Sequence, residues 1–258
     1  MGLFCIHVSR KDDTMIDTDI RIDLVPGTEY KIYQNKGKFS YGIDAIILSD
    51  FVKPKGLVMD LGTGTGIIPI RIADNPSAIK IYGIEIQKNV ADLAKKGVEL
   101  NNLEDKIDIL NINLKNLSDI FPKSSIDTII SNPPYMKSGS AIVNTQENFA
   151  ISRHEVTCNF EDIISISDYL LKPLGKIYLI HRPNRLVDII YTMRQYKIEP
   201  KYIRFVQPKI DKKPNLLLIE GVKDGKSDLK FYNPLIVYNE DGSYTDEIYK
   251  IYGMNWVK

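Results

Sequence analysis

The chain has 258 residues, 43% hydrophobic and 26% charged, and its 34 Lys and Arg against 33 Asp and Glu leave a formal charge of +1. That length can bury a sizeable core, and no apolar run approaches the ~18 to 20 residues that cross a bilayer, so a membrane span is not expected. Two cysteines, Cys5 and Cys158, exclude a disulfide framework and a cysteine-rich zinc cluster, no metal is expected, and the near-neutral charge means that any nucleic-acid contact must come from a local basic patch.

The first residues, Met1 to Ile6, have Ile6 where a myristoylation signal needs Ser or Thr, and Arg10 to Asp13 do not continue a secretory signal. The expected compartment is the cytoplasm. An extended segment over 30–33 precedes residues 43–52, whose apolar side chains share one helical face, and together they predict an N-terminal cap. From Gly56 onward short β-branched runs alternate with segments of helical period, the pattern of parallel strands joined by crossover helices. Strands are predicted over 57–61, 79–84, 107–112 and 126–131, with helices over 66–73 and 88–100. A polar stretch to about Cys158 shows no regular period and reads as a loop or lid. A helix over 160–171, a strand over 175–181, a helix over 186–196 and a closing pair of strands over 203–206 and 216–220 follow. The tail over 231–252 carries the turn Asn239-Glu240-Asp241-Gly242 and a tyrosine-rich amphipathic stretch that should pack back on the domain. The expected organisation is an extension and cap over 1–55, a catalytic domain over 56–225 and a tail over 226–258, forming an α/β fold.

The first strand of the domain runs into Asp60-Leu61-Gly62-Thr63-Gly64-Thr65-Gly66, where the backbone must turn sharply between strand and helix. Such a turn also serves purely structural junctions. Here its spacing is G-x-G-x-G after an acid, whereas a dinucleotide fold uses G-x-G-x-x-G to hold a pyrophosphate. S-adenosylmethionine carries no phosphate, and its ammonium and carboxylate suit an acid beside exposed backbone groups. Glu85 ends the second strand roughly 20 residues on, where a carboxylate accepts both ribose hydroxyls; an exposed strand-end acid is the plain alternative. Asn111 and Asn113 stand where a side chain can read an adenine edge, and an ordinary turn explains them equally well.

The strand over 126–131 delivers Asn132-Pro133-Pro134-Tyr135 to the edge of the sheet where the glycine loop also lies. An exocyclic adenine amine is a poor nucleophile because its lone pair is delocalised into the ring. Hydrogen bonds accepted from both its hydrogens, by the Asn132 side-chain carbonyl and the Pro133 backbone carbonyl, favour a pyramidal nitrogen aimed at a sulfonium methyl. Proline has no N–H and a fixed φ, so the turn is stiff. Tyr135 can stack on the purine, a contact worth ~1 to 3 kcal/mol per base. Asn-Pro-Pro also ends strands for structural reasons alone.

These residues resemble class I methyltransferases of the Asn-Pro-Pro-Tyr type and, within them, the bacterial tRNA1(Val) adenine-37 N6-methyltransferase family. The likeness covers Phe39-Ser40-Tyr41-Gly42-Ile43-Asp44-Ala45, Asp60 to Gly66, Asn132 to Tyr135, Ser152-Arg153-His154-Glu155, Lys213 to Gly221, Asn233 to Tyr238 and Tyr244 to Glu247. It implies a Rossmann-like class I sheet, mostly parallel with an antiparallel closing strand. It implies S-adenosyl-L-methionine as cofactor, held by Tyr41, Asp44, Asp60, Gly62, Thr63, Gly64, Gly66, Glu85, Ile86, Asn113 and Asn132. Asn132, Pro133 and Tyr135 become the catalytic set, and Pro134, Tyr135, Lys137, Arg153 and His154 the substrate side. Asn113 departs from the acid common at its place, and the first eighteen or so residues match nothing in the family.

The implied substrate is tRNA, at an anticodon loop whose bases are already partly unstacked. Lys137, Arg204, Lys209, Lys212 and Lys213 are the candidate basic patch, with a solvated lysine-rich surface as the alternative; Arg153 and His154 can equally be a solvated pair capping the next helix. His7 and His181 receive no role. The tetrapeptide chemistry also fits a protein glutamine, whose amide offers the same two hydrogens, or an amine of ribosomal RNA or DNA. A non-catalytic RNA-binding module is the reading outside enzymes, and a nicotinamide oxidoreductase is disfavoured by the glycine spacing.

Overall fold

The computed structural model describes residues 20–35, 41–133 and 159–254. Among them a hairpin of β1 (Ile20–Leu24) and β2 (Lys31–Asn35) precedes α1 (Ile43–Phe51), and β3 (Gly56–Leu61) then leads to α2 (Ile67–Arg71). β4 (Ala78–Glu85), α3 (Lys88–Leu100), β5 (Ile107–Asn111) and β6 (Ile126–Ser131) complete the first half. After the undescribed segment come α4 (Phe160–Leu170), β7 (Leu171–His181), α5 (Leu186–Gln195), β8 (Ile198–Gln207) and β9 (Leu216–Lys223). Two short strands, β10 (Lys230–Phe231) and β11 (Leu235–Ile236), and helix α6 (Asp246–Ile251) form the tail.

The main sheet has the order β10-β8-β9-β7-β6-β3-β4-β5, with β11 also paired to β8. β3 is parallel to β4 and β6, β4 to β5, and β6 to β7, whereas β9 is antiparallel to both β7 and β8. One reversed strand in a parallel sheet is the architecture expected from the sequence. The alternation of β-branched strands drives the layering, because each strand buries both faces. On one face Ile46, Ile47, Ile68, Ile70, Ala91, Ala94, Ile248 and Ile251 form a continuous core with Val58, Ile130 and Ile180. On the other, Ile163, Ile164, Leu170, Ile189 and Met193 pack on Met59, Ile129, Leu179 and Ile219. The tail helix therefore shares its buried side chains with α1 and α2.

Several boundaries move for identifiable reasons. β6 and α3 lie where the sequence places them, over 126–131 and 88–100. β8 is longer than the expected 203–206 because Pro200 sits at a register shift against β9, where its missing N–H is tolerated. β7 starts at Leu171 rather than 175, and the stretch includes Leu174 at φ 64° and a register shift against β6. α2 stops at Arg71, short of the expected 73, as the chain tightens through an Ala73 N–H bond to Ile70. Among the described residues no helix is long and apolar enough to cross a membrane.

Candidate active site

The carboxyl ends of β3, β4 and β6 lie side by side, with Leu61 level with Ile84 on one neighbour and Ser131 on the other. The chain leaves β3 at Gly62 and returns into α2 at Gly66. The N–H groups of Gly62 and Thr63 both donate to the Ile84 carbonyl at 2.9 Å, which fastens the loop to the end of β4. Gly62 and Gly64 have φ of 78° and 58°, values that L side chains rarely adopt, and a Cβ at either would meet nothing within 4 Å. The backbone is thus both left-handed and open above. Gly66 caps α2 at φ 86° and lies close under Ala94 of α3.

Asp60 is 1% exposed, and neither carboxylate oxygen has a hydrogen-bond partner. Burial, helped by the nearby Glu85 carboxylate, pushes its carboxyl up to about 7, with the adjacent Thr63 hydroxyl opposing the rise. That hydroxyl is itself buried without meeting hydrogen-bond geometry to any partner. A native fold leaves such a cluster unsatisfied where a ligand completes it. Glu85, 6% exposed, accepts from the Gly64 N–H at 3.1 Å and from the Gln87 N–H at 2.9 Å. Burial raises its pKa, and these backbone donors oppose the rise. Two of the four or so lone-pair positions of a carboxylate remain for a diol. An orphaned acid, an open left-handed loop and a strand-end carboxylate fit S-adenosylmethionine, whose ammonium, methionyl backbone and ribose present the complementary groups.

The other sequence-predicted residues fall around this centre. Tyr41 and Asp44 flank the N-terminus of α1; burial raises the Tyr41 pKa, its hydroxyl reaches the Leu24 carbonyl at 3.4 Å, and Asp44 accepts from the Ala45 N–H at 3.0 Å. Ile86 follows Glu85, and its carbonyl accepts from the Asn111 amide at 2.9 Å. Asn111 also donates to the Glu85 carbonyl, so its amide staples the ends of β4 and β5 together instead of facing a ligand. Asn113 accepts from the Lys115 N–H at 3.0 Å and caps a short 3-10 helix over Leu114–Asp119, a task that leaves its amide nitrogen uncommitted. Asn132 and Pro133 leave β6 directly beside the glycine loop. Pro134, Tyr135, Lys137, Arg153 and His154 lie outside the described residues.

Two features of the site were not anticipated. The Ser131 hydroxyl donates to the Leu61 carbonyl at 2.8 Å, tying the strand that ends in Asn132 to the strand that ends in the loop. At Gly83 a Cβ would come within 3.0 Å of the Thr63 side chain and 2.6 Å of Ile109, so the loop rests on a missing side chain. His181, given no role from the sequence, ends β7 and is buried edge-on to Phe160. Its Nδ1 accepts from the Arg182 N–H at 2.8 Å, which places the ring proton on Nε2, and burial lowers its pKa. Of the candidate basic patch, Arg204 pairs through its guanidinium with Glu247 at 2.7 Å and with the Asn233 carbonyl at 3.0 Å. Its work is to hold the tail against β8, which corrects the expectation of a free cation there.

Residues 29–183 match the family described as methyltransferase small domain. Two tRNA1(Val) (adenine(37)-N6)-methyltransferases from strains of Porphyromonas gingivalis are similar to the chain. One is 28% identical over 89% of this chain and 93% of its own, the other 30% identical over 75% and 76%. A protein of the same name from Trichodesmium erythraeum is 27% identical over 72% of this chain and 76% of its own. Among solved structures, a predicted O-methyltransferase from Agrobacterium tumefaciens superposes with a TM-score of 0.66 at 20% identity, covering 83% of this chain and 98% of that one. The tRNA m1G37 methyltransferase of M. jannaschii gives 0.57 at 18% identity, over 82% and 59%. These structural likenesses speak for the fold.

Proposed function

The chain belongs to the methyltransferase small domain family and, within it, to the tRNA1(Val) (adenine(37)-N6)-methyltransferase family, and from that membership we propose that it methylates N6 of an adenine in tRNA, at position 37 of the anticodon loop. The observation that carries the reading is the placement of Asn132 and Pro133 at the end of β6, one strand from a glycine loop that covers an unpartnered buried Asp60. S-adenosylmethionine, when bound, supplies the electrophilic methyl group. Asp60 and the open backbone at Gly62 and Gly64 receive its amino-acid end, and Glu85 holds the ribose while bracing the loop. The Asn132 side-chain carbonyl and the Pro133 backbone carbonyl accept the two amine hydrogens, which concentrates the nitrogen lone pair on the methyl-facing side. Ser131 fixes the distance between the two halves through Leu61. Tyr135 stacks on the base. The methylated amine is acidic enough to lose its proton to water, so no strong base is needed. The cytoplasm is the compartment that this reading proposes.

The test is nucleoside mass spectrometry of tRNA from cells lacking this protein, where N6-methyladenosine at the target position should vanish and return with the wild-type chain. Unchanged modification would remove tRNA as the substrate. Methyl acceptance that survives nuclease treatment of the substrate fraction would instead point to a protein amide. In the purified chain, Asn132→Ala should lower kcat on the order of 100-fold and cofactor affinity far less, because its main contact is to the reacting amine. A parallel loss of cofactor binding would contradict that role.

A further inference from the structure

β9 is antiparallel to both β7 and β8, so β8 runs in the direction of β6 and its hairpin loop, residues 208–215, emerges at the same edge as Asn132. Two strand spacings, about 10 Å, separate β6 from β9 across this edge. The loop carries Lys209, Lys212 and Lys213, and Arg182 at the end of β7 joins it by donating to the Asn215 carbonyl at 3.1 Å. A turn closed by the Lys212 N–H on the Lys209 carbonyl, 3.0 Å, leaves Ile210 at the tip, 72% exposed. The tip thus presents an apolar side chain between Lys209 and Lys212.

The loop is also held in shape. The Asn215 N–H bonds the Val206 carbonyl at 3.0 Å, and the Tyr238 N–H bonds the Pro208 carbonyl at 2.9 Å. Lys209 Nζ donates to the Glu240 carbonyl at 2.9 Å, and the Asp241 carboxyl, held low first by its hydrogen bonds from Ser243, is lowered further by the nearby Lys209 charge. Lys212 pairs with Asp211 at 2.8 Å, but both side chains are largely solvated, and such a pair exchanges readily for a phosphate. A preformed basic tip loses little freedom on binding.

We propose that this hairpin tip is the RNA-backbone clamp of the site: Lys212, Lys213 and Arg182 contact phosphates flanking the methylated base, and Ile210 packs against a neighbouring ribose or unstacked base. The inference rests on the tRNA reading above. Phosphate contacts set register while the pocket reads the base. A chain with no net field needs such a local cluster to engage RNA.

The test compares tRNA binding by the full chain with that of a Lys212→Glu, Lys213→Glu variant and, as control, a Lys95→Glu, Lys96→Glu variant of equal net charge on the exposed face of α3. The hairpin variant should bind unmodified tRNA on the order of tenfold more weakly at moderate salt. The slope of log affinity against log salt should fall by roughly 1 per lysine. Cofactor affinity by calorimetry should be unchanged, and the control should stay within about twofold on the same salt scale. Ile210→Ala should weaken binding without changing the salt slope. Should charge reversal prevent folding, Lys212→Ala with Lys213→Ala is read instead. Wild-type affinity and slope in the hairpin variants, or an equal loss in the control, would overturn the clamp while leaving tRNA as substrate. Failure of the wild-type chain to bind or methylate any tRNA would overturn both.

Discussion

Asp60 shows how a single buried group can set both stability and ligand affinity. The unfolded carboxyl titrates near 3.8, and burial in the folded, ligand-free protein moves it to about 7. The folded state therefore holds the proton more tightly, and the stability this lends is complete below the unfolded value and is lost as pH rises through about 7. Asp60→Asn keeps the shape and removes the titration. Its cofactor-free melting temperature should exceed that of the wild type at pH 8 and approach it near pH 4, as read by differential scanning fluorimetry. Burial raises Glu85 in both proteins, so the comparison reads Asp60 together with its coupling to Glu85. Cofactor affinity should move the other way. An ammonium needs the carboxylate, so below about pH 7 the wild type should bind S-adenosylmethionine about tenfold more weakly per pH unit, and Asp60→Asn should bind poorly throughout. A flat pH dependence of wild-type binding between 5.5 and 8 would sink this account.

At the scale of elements, the site depends on how closely β3, β4 and β6 stack their carboxyl ends. Gly83 belongs to no visible motif, yet it is where β4 lets the Thr63 loop settle. Gly83→Ala should push the loop outward and weaken cofactor binding by roughly tenfold or more, a loss of about 1.4 kcal/mol or above, while leaving the Asn132 strand in place. Calorimetry reads this directly, and unchanged affinity would mean that the loop can yield. The contrast with Gly62 and Gly64 shows what was legible in the sequence. Those two stand in a strand-to-helix context and announce a turn, just as the β-branched run of β6 and the 3.6 periodicity of α3 announce themselves locally. Gly83, the Ser131 bond to Leu61 and the amide staple of Asn111 are contacts between separate segments, and no local pattern encodes a partner such as Leu61, 70 residues from Ser131. The early start of β8 is hidden for a related reason: Pro200 is compatible with a strand only through its register shift against β9. That the glycine loop and Asn132 share one edge was legible because parallel strands joined by crossover helices all end on the same side of the sheet.

The whole molecule is closed by Arg71 at the end of α2. Its Nε donates to the Pro26 carbonyl at 3.0 Å in the β1–β2 turn, one terminal nitrogen to the Ser49 hydroxyl of α1 at 3.0 Å, and the other to the Ile251 carbonyl at the end of α6. Burial lowers its pKa without approaching neutrality, so one permanent cation joins the N-terminal hairpin, the first helix and the tail over the core. A carbonyl left without this donor is exposed to the cost of desolvation, and hydrogen bonds to charged groups contribute about 1.5 to 3 kcal/mol each before neighbours relax. Arg71→Ala should therefore destabilise the protein by about 3 kcal/mol, a fall in melting temperature of roughly 6 to 12 °C for a chain of this size. Arg71→Lys can restore one contact and should fall between. The loss should appear first as faster amide exchange in the hairpin and at Ile248 to Tyr252, because this side chain adds a polar tie to their apolar packing, while the amides of β3 and β6 keep their protection. Tyr41, which bonds the hairpin carbonyl of Leu24 and stands at the mouth of α1, shifts with them. Cofactor affinity in Arg71→Ala should then drop before the sheet unfolds. A variant whose melting temperature falls by less than about 2 °C, or whose exchange rises uniformly through the sheet, would show that hairpin and tail are held by their apolar contacts alone.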